Sequence, residues 1–455
     1  MLLALLALLP QPWHQFFIAR GDRFIDLDVY RQAGVSLLHH RPVYGYLTAP
    51  PQNLPFTYPP TSALLSLPLA LLPHAFVDML WLLGCYVLVL GLTAVAFRDL
   101  LIRKGPYFTA FALPALFVAM AYLFPVRSVV HYGQVGLVLM ALCVADCLTP
   151  DTRLRWPRGV LIGLAAAMKL TPAVFIPYLW LSGRRRAAYV AAGSFLGFVA
   201  VTWAIIPGTS TKYWTDALFN SDRLGDNSNT SNQALRGGIL RLAASDSTKN
   251  VLWLTLVLIV AVAGFRRARR ASLAGNELAG VAIVGLLAVL LSPVAWIHHL
   301  VWLVLVVGVL LGTGATKRQW ITAAVVCLFF SLTTPWIAHH KIYDHVPQSE
   351  LSMRLPGAQG WIDFTSAPPG KPPKGTSFRR SLAAGGYSAE PSSLRTYVGP
   401  CLGRAQDSCL VVQHEEGAMW WARLGESSFL IGSVVLVAVL PIGARRREDQ
   451  SPPHG

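Results

Sequence analysis

Long, uniformly apolar runs recur along the whole chain and determine the class of fold. Three of them cover residues 251–265, 281–291 and 300–311. Only 13% of the residues are charged, whereas water-soluble domains carry about 25%. A membrane-spanning helix needs about 20 mostly apolar residues, and this chain has room for about ten. The pattern predicts an all-α polytopic membrane protein, and it excludes a cytosolic enzyme, a secreted disulfide scaffold and a nucleic-acid-binding domain.

The positions of the basic residues indicate how the chain is oriented in the membrane. The formal net charge is +16, and about half of the 38 Lys and Arg residues lie in clusters beside apolar runs. The positive-inside rule places these clusters in the cytoplasm, so the chain between consecutive clusters leaves the cytoplasmic face and returns to it. The six clusters are Arg98, Arg103 and Lys104; Arg153, Arg155 and Arg158; Arg184, Arg185 and Arg186; Arg266, Arg267, Arg269 and Arg270; Lys317 and Arg318; and Arg445, Arg446 and Arg447.

This orientation divides the chain into three regions. Residues 1–336 form a transmembrane domain with outer loops at 19–75 and 207–250. Residues 337–426 form an external segment, and residues 427–455 provide the last transmembrane helix and a basic cytoplasmic tail. The chain begins with an apolar run that no basic segment precedes, so we interpret this run as a first transmembrane helix rather than a cleaved signal.

Two apolar segments are too short or too interrupted to be simple spans. Residues 159–183 lie between two basic clusters, and we expect two half-helices that meet at 168–172. Broken helices occur at membrane depth where the backbone lines a protein cavity rather than lipid. Residues 59–72 are expected to form a re-entrant or interfacial helix on the outer side. With such short helices included, about ten to twelve membrane helices are expected.

The six cysteines form no metal-binding pattern, and four of them lie in apolar runs where small buried hydrophobes are expected. Cys401 and Cys409 lie in a polar stretch and could form a disulfide in an oxidising compartment. Residues 367–393 are rich in Pro, Gly and Ser and predict an irregular loop. The absence of a glycine-rich nucleotide loop leaves an energy-coupled pump unsupported.

The unusual polar motifs all fall on the predicted outer face, which indicates a site at the outer membrane boundary. The first motif contains Asp22, Asp26 and Asp28. A partly desolvated carboxylate at the edge of the bilayer has a raised pKa and is a better base. In the alternative interpretation, these acids only solvate a loop and pair with neighbouring arginines. Those arginines are Arg20, Arg23 and Arg31.

Lys169 and a histidine pair are the next candidates. A lone ammonium inside an apolar hairpin costs at least about 2.5 kcal/mol, so Lys169 needs an anionic partner, either a phosphate or one of Asp26 and Asp28. His298 and His299 are adjacent and point in different directions on a helix, which argues against one metal shared by both. They could donate to a phosphate or a sugar, or they could be ordinary interfacial histidines.

A polar stretch of the second outer loop contains Asn232, Gln233, Arg236 and Arg241. Side-chain amides suit sugar hydroxyls, and guanidinium groups suit phosphates because they bind them bidentately. The alternative is an ordinary solvated loop. Tryptophans that flank the apolar runs are explained by an aromatic belt at the membrane interface.

Taken in order, these motifs resemble glycosyltransferase family 87, the actinobacterial polyprenol-phosphate-mannose-dependent α-1,2-mannosyltransferases with the GT-C membrane fold. The resemblance covers roughly residues 20–320. It departs from the family pattern at Ala295, where a serine is expected, and in the external segment. The motifs are Asp26-Leu-Asp28-Val-Tyr30, Leu54-Pro-Phe-Thr-Tyr58-Pro-Pro60, Gly133-Gln134, Lys169-Leu-Thr-Pro172, Asn232-Gln233 with Arg241, and Ser292-Pro-Val-Ala-Trp296-Ile-His298-His299.

The resemblance implies an inverting transfer of mannose from polyprenyl-phosphate-mannose to a lipid-linked mannoside, on the outer face of the cell membrane and with no metal or cofactor. Phosphatidylinositol mannosides and lipomannan are the typical acceptors. By the family's motif, Asp26 is the matching base and Asp28 the second choice. The residues expected around the donor phosphate and sugar are Lys169, His298, His299, Arg241, Tyr58, Gln134 and His131. Those expected at the acceptor are Asn232, Gln233 and Arg236.

Two other functions remain open on the sequence. One is a GT-C transferase for another polyprenyl-phosphate sugar, such as arabinose or glucose, because sugar choice depends on hydroxyl contacts that motifs do not define. The other is a non-catalytic carrier or flippase for polyprenyl-phosphate sugars. A carrier is expected to show paired acids or broken helices at the bilayer midplane and inverted repeats, whereas here the polar motifs gather on one face and no repeat is apparent.

Overall fold

In the computed structural model, the apolar runs form α-helices that pack around a central pair. The structure describes residues 23–48, 54–220, 223, 227–242, 244–347 and 420–443, together with the strands between 351 and 413. The α-helices are α1 Ile25–Leu38, α2 Pro60–Leu65, α3 Leu67–Leu71, α4 His74–Ala96, α5 Arg98–Tyr122, α6 Phe124–Tyr132, α7 Gly136–Leu148, α8 Val160–Met168, α9 Phe175–Leu181, α10 Arg185–Ile205, α11 Pro207–Lys212, α12 Leu235–Leu240, α13 Asp246–Leu273, α14 Glu277–Leu290, α15 Leu303–Leu311, α16 Lys317–Ser331, α17 Thr334–Ile342, α18 Trp420–Glu426 and α19 Ser428–Val439. Short 3₁₀ helices cover Val43–Gly45, Asp151–Arg153, Thr171–Val174 and Ile297–Trp302, and a π-helical turn covers Tyr213–Ala217.

Four helices of the described chain are long and apolar enough to cross a membrane, namely α4, α5, α10 and α13. A fifth span results if α6 and α7, which are bent by 117° at their junction, are taken together. The remaining apolar helices, such as α14 and α19, have 10 to 17 residues. Single long helices therefore do not reach the ten to twelve expected from the sequence, because several apolar runs are divided into shorter pieces.

The predicted break in the middle of 159–183 is confirmed. Helix α8 ends at Met168, Lys169 has an extended backbone, and a 3₁₀ turn leads into α9. Pro172 lacks a backbone N–H and disfavours a helical conformation at the residue before it. The free end of α8 is stabilised by the Ser62 hydroxyl, which donates to the Met168 carbonyl at 2.6 Å. This break places a lysine inside an otherwise apolar layer.

The centre of the molecule is formed by α14 and α15. Every residue from Leu278 to Leu290 and every residue of α15 is buried, as expected for helices that are apolar on all sides. Close packing needs small residues here. A Cβ atom at Gly308 would lie 2.5 Å from the carbonyl oxygen of Ala96, and one at Gly285 would overlap the ring of Trp302. The central pair therefore supports the short polar segment that links α14 to α15.

Beside the helical bundle, the described part of the external segment forms short strands. They are β1 Tyr343–Pro347, β2 Leu351–Arg354, β3 Ile362–Asp363, β4 Ser377–Arg380, β5 Ser388–Ala389, β6 Val398–Cys401 and β7 Arg404–Gln413. They form two antiparallel sheets, ordered β1-β7-β6 and β3-β2-β4-β5.

The prediction of an irregular loop over 367–393 was wrong for β4 and β5, which lie inside that range. A Pro, Gly and Ser-rich composition marks turns, but strand pairing depends on partners far away in sequence. The backbone register pairs Cys409 with Gly399 and Cys401 with Arg404. The predicted disulfide between the two cysteines lies outside the described side chains.

Candidate active site

A cavity of about 780 Å³ opens between the start of α1, the stretch 54–58, α6 and the segment that precedes α15. Four of the residues selected from the sequence line it, namely Asp26, Tyr58, Gln134 and His298. Its volume is in the range of pockets that hold a drug-sized ligand. These residues come from four separate motifs, so the fold brings together side chains that are far apart in the chain.

Asp26 faces the cavity because the beginning of α1 is fixed against α6. The Phe24 amide donates to the carbonyl of His131 at 2.8 Å. Gly133, at the end of α6, has φ +70°, and a Cβ atom there would lie 2.7 Å from the Cβ of Leu27. Only glycine allows both this backbone conformation and this close approach. Asp26 therefore lies in the first turn of α1, and the contacts of Phe24 and Leu27 with the end of α6 determine the direction in which α1 begins.

The environment of Asp26 suits a proton acceptor. Burial raises its pKa to about 6, and a hydrogen bond with Gln134 and the positive charge of Lys169 oppose a larger rise. The side chain is only partly buried and lines the open cavity, so a bound hydroxyl can reach it. A base with a pKa just below neutral pH is ionised and still has a useful proton affinity.

We expect activity to fall on the acidic side of this pKa. The base must be ionised, so kcat/KM should be constant above about pH 7 and fall about tenfold per pH unit below pH 6. The measurement is a pH profile of kcat/KM at fixed ionic strength. The residual activity of Asp26→Asn should lack this acidic limb. If the pH profile of Asp26→Asn still fell at acidic pH, a group other than Asp26 would be responsible for the loss of activity.

Asp28 lies on the other side of α1, because two residues correspond to about 200° around a helix. Its carboxylate is 2.7 Å from Nε2 of His74, both side chains are substantially exposed, and Asp28 does not line the cavity. Nδ1 of His74 lies 3.4 Å from the Asp78 carboxylate. Asp28 is thus hydrogen-bonded to His74 outside the cavity, whereas Asp26 faces the cavity. Asp22 lies outside the described residues.

A buried hydrogen-bond network supports the cavity wall beside Asp26. The Tyr30 hydroxyl donates to Oε1 of Gln134 at 3.0 Å, and Nε2 of Gln134 donates to the Tyr58 hydroxyl at 2.9 Å. The two tyrosine hydroxyls are 3.1 Å apart. Because Gln134 also bonds Asp26, the network limits the orientations that this carboxylate can adopt. Tyr58 and Gln134 therefore position the candidate base in addition to lining the cavity.

Lys169 lies behind this wall. Its Nζ is 2.7 Å from Nε2 of His299 and 5.1 Å from the centre of the Tyr58 ring. Since an ammonium group only donates, His299 accepts through Nε2. His298 points the other way and lines the cavity, as the helical spacing predicts. Its Nε2 is buried without a hydrogen-bond partner among the described residues, so this nitrogen is available to a ligand.

In the polar stretch predicted to belong to the second outer loop, Asn232 and Gln233 use their amide groups in hydrogen bonds within the protein. Both Asn232 and Gln233 are fully buried. Oδ1 of Asn232 accepts from the backbone N–H of Ala295 at 3.0 Å, and the backbone N–H of Gln233 donates to the Ala295 carbonyl at 2.8 Å. These bonds anchor the segment that begins the Trp296-Ile-His298-His299 motif. Only the backbone of residue 295 takes part, so alanine in place of the expected serine leaves the contacts intact.

Arg241 and Arg236 also lie away from the cavity lining. Arg241 is 5% exposed and donates to the carbonyls of Asn229 and Asn232 at 3.1 and 3.0 Å. Its Nε lies 3.9 Å from the buried Glu426 carboxylate. Cζ of Arg236 is 4.8 Å from the Trp253 ring. In this structure Arg241 braces the outer loop and Arg236 packs on a membrane helix.

His131 contributes to the site through its backbone. Its carbonyl accepts the bond from Phe24 that fixes the start of α1, and its ring packs edge-to-face on Tyr132 with centroids 4.8 Å apart. Tyr132 itself lines the cavity and packs against the His298 ring. His131 therefore orients two lining elements, although its own side chain is not part of the lining.

Removing the Glu426 carboxylate should lower stability strongly. Thr230 and Arg423 bond this carboxylate at 2.6 and 3.1 Å, and Arg241 lies beside it. Glu426→Ala would deprive the buried Arg241 of this carboxylate, which costs about 3–5 kcal/mol of unfolding free energy. Thermal unfolding in detergent measures the effect. Asp151→Ala, which removes an exposed partner of Arg158, should leave the unfolding temperature near that of the wild type. Equal unfolding temperatures for the two variants would contradict the expectation.

Several lining residues were not singled out by the sequence analysis. They include Ser128, Tyr132, Asn220, Arg223, Asn229 and Ser231. Of these, Arg223 had a visible signal, because it is a basic residue in an outer loop with no basic neighbours. In the described part of the chain, no three His, Cys, Asp or Glu side chains are grouped so that they could hold a metal ion.

Comparison with known proteins agrees with this site. Residues 56–293, about half of the chain, match the model of glycosyltransferase family 87. An apolar helical bundle with a polar cavity, matched over about half of its length by such a model, defines a membrane glycosyltransferase. The chain belongs to glycosyltransferase family 87, and the resemblance inferred from the motifs is confirmed. No solved structure is significantly similar to the chain.

Three curated relatives show what this chain is similar to. A Mycobacterium tuberculosis protein is 36% identical over 307 residues, which cover 63% of this chain and 70% of the relative. A Mycolicibacterium smegmatis protein is 35% identical over 342 residues, covering 68% and 75%. Both are named polyprenol-phosphate-mannose-dependent alpha-(1-2)-phosphatidylinositol mannoside mannosyltransferases. A second M. smegmatis relative, 36% identical over 294 residues (64% of this chain and 70% of the relative), is named as the corresponding phosphatidylinositol pentamannoside mannosyltransferase.

Proposed function

We propose that this protein transfers mannose from polyprenyl-phosphate-mannose to a phosphatidylinositol mannoside, with inversion and formation of an α-1,2 linkage. The observation that carries the proposal is the Asp26 carboxylate, held in the lining of the large cavity with the Lys169 ammonium behind the same wall. The names of the curated relatives support the choice of donor and acceptor.

The reaction is a single displacement. Asp26 takes the proton of the acceptor hydroxyl, and the hydroxyl oxygen forms a bond to C1 of mannose while the bond from C1 to the phosphate oxygen breaks. The attacking hydroxyl and the leaving phosphate lie on opposite faces of the sugar, so a β-linked donor gives an α-linked product. The phosphate leaves as a weakly basic anion, so the reaction needs no general acid.

The charge that develops on the leaving phosphate needs donors. Lys169 supplies the cation, and His298 presents a buried Nε2 toward the cavity. Preorganised donors of this kind stabilise a transition state because they need no rearrangement as the charge forms. His299 holds Lys169, and Gln134, which is bonded to Tyr58, forms a hydrogen bond with Asp26. We assign Asn232, Gln233 and Arg241 to the positioning of the His298 segment.

We place this site on the outer face of the cell membrane. The break after α8, the re-entrant pair α2 and α3 and the segment before α15 would then meet at the outer boundary, while the basic clusters remain in the cytoplasm. Ten to twelve membrane helices result if the short apolar helices are counted as half-spans. A lipid-phosphate donor suits this location, since it is delivered by the membrane and needs no nucleotide-binding fold.

The test is a transfer assay with purified protein in lipid nanodiscs. Radiolabelled polyprenyl-phosphate-mannose is supplied with a panel of phosphatidylinositol mannosides, and product is digested with a linkage-specific α-1,2-mannosidase. We expect labelled product that releases its mannose on digestion. Transfer from polyprenyl-phosphate-arabinose or polyprenyl-phosphate-glucose, in place of the mannose donor, would show that the protein transfers a different sugar. Tight donor binding with no product from any acceptor would favour a carrier.

A further inference from the structure

Arg223 lines the cavity directly, whereas Lys169 lies behind the cavity wall. Arg223 donates from Nη2 to the Phe56 carbonyl at 3.3 Å, and its Cζ lies 5.8 Å from the centre of the Tyr44 ring. Its Nε is buried and has no hydrogen-bond partner among the described residues. A buried, unsatisfied donor on a charged group is costly unless a ligand supplies an acceptor.

Three aromatic rings separate the two cations. Tyr44, Phe56 and Tyr58 follow one another with centroid distances of 5.8 and 5.7 Å. Arg223 lies over the Tyr44 end of this row, and Lys169 lies over the Tyr58 end. The Tyr58 end is also the end beside Gln134 and Asp26. Lys169 is therefore the cation next to the reacting centre, and Arg223 is the remote one.

The surroundings of Arg223 favour an anionic ligand from outside. Among the described residues that line the cavity, Asp26 is the only acid. The other polar lining residues in the same outer loop are neutral, namely Asn220, Asn229 and Ser231. A guanidinium group matches a phosphate because two of its N–H groups donate to two oxygens in parallel. Apart from Asp26, the described lining of the cavity thus offers this phosphate-binding group no carboxylate.

We propose that Arg223 binds the phosphodiester of the lipid acceptor, so that the cavity selects mannosides attached to an anionic lipid headgroup. The inference rests on the proposed mannosyl transfer. Each lipid substrate brings one phosphodiester. That of the donor must lie at the reacting carbon, near Lys169, which leaves the acceptor's phosphodiester for the remote cation.

The test compares two acceptors, a phosphatidylinositol mannoside and a phosphate-free alkyl α-mannoside, with wild-type protein and Arg223→Gln. We expect the variant to raise KM for the phosphatidylinositol mannoside about tenfold or more, as the loss of a charge-assisted hydrogen bond implies. KM for the alkyl mannoside and for the donor should stay within twofold. Arg223→Lys should have a KM for the phosphatidylinositol mannoside between those of the wild type and Arg223→Gln, because lysine keeps the charge and loses the bidentate geometry.

The control for general charge effects is Lys212→Gln. Lys212 is an exposed cation of the same outer loop, paired with Asp216 at 2.6 Å, and its removal should change neither KM. A rise in KM for both acceptors, or for the donor alone, would overturn the inference while leaving mannosyl transfer intact. Failure of the wild-type protein to use either acceptor would instead contradict the proposed function itself.

Discussion

Replacing Asp26 with asparagine should abolish most of the transfer activity. The variant keeps the size and shape of the side chain but cannot accept the proton of the acceptor hydroxyl, and removal of a general base lowers kcat about 10²–10⁴-fold. Donor binding should be retained, because Asp26 acts on the acceptor. The measurement is single-turnover transfer of labelled mannose at pH 7.5, with donor binding measured in parallel.

Two acid-to-amide variants make this result specific. Asp28→Asn removes a carboxylate that pairs with His74 outside the cavity, and it should keep kcat within about tenfold of the wild type. Asp216→Asn removes an exposed acid paired with Lys212 and should behave as the wild type. If Asp28→Asn were the inactive variant, the assignment of the base would move to Asp28.

The Asp26 variant should also be stable. The folded state raises the pKa of Asp26 from 3.8 to about 6, so folding favours the protonated form. The stabilising contribution of that form is complete below about pH 4 and is lost as the pH rises through 6. A neutral asparagine avoids this loss, and Asp26→Asn should unfold at the same or a higher temperature than the wild type at pH 7.5. A lower unfolding temperature would indicate that the carboxylate has a structural role.

The second large effect is expected at Lys169. Lys169→Met keeps an unbranched side chain that is one atom shorter and removes the cation, and loss of one preorganised donor from a transition state costs about 10²–10³-fold in kcat. The hydrophobic replacement suits the surrounding apolar layer, so folding should be preserved. The measurement is kcat at saturating donor, together with the donor KM.

The pattern of the two constants decides the role of Lys169. A fall in kcat with little change in donor KM places the cation on the developing charge of the leaving phosphate. A rise in the donor KM with no change in kcat would show that Lys169 binds the donor phosphate equally well in the ground state and in the transition state. Lys212→Met, at an exposed position, is the matched control. Full activity of Lys169→Met would exclude Lys169 from the site.

Much of the fold was predictable because the membrane imposes its own pattern. The lengths of the apolar runs predicted the helices, and the two basic clusters that flank residues 159–183 predicted the break after α8. The strands of the external segment were missed, since their pairing depends on distant partners rather than on local composition. The count of spans was also uncertain, because a short apolar helix looks the same in sequence whether it crosses or re-enters the membrane.

The sequence predicted which types of residue belong to the site, but not which of them face a ligand. Order and identity of the motifs indicated family 87, and the family model and the curated relatives confirm it. The sequence could not separate residues that face a ligand from residues that hold others in place. Asn232 and Gln233 had the composition of a sugar-binding loop, yet their side chains are occupied by backbone hydrogen bonds.

The sequence by itself determined that this is a helical membrane protein, because apolar run length and charge placement can be read along the chain, and its motifs showed the resemblance to a mannosyltransferase family. Tertiary structure decided which carboxylate faces the cavity, because Asp26 and Asp28 lie on opposite sides of one helix and only its packing against Gly133 determines the direction of each. It also decided that Arg223 and Lys169 lie at opposite ends of an aromatic row. Such distances arise from contacts between segments that are far apart in sequence, and no local pattern encodes them.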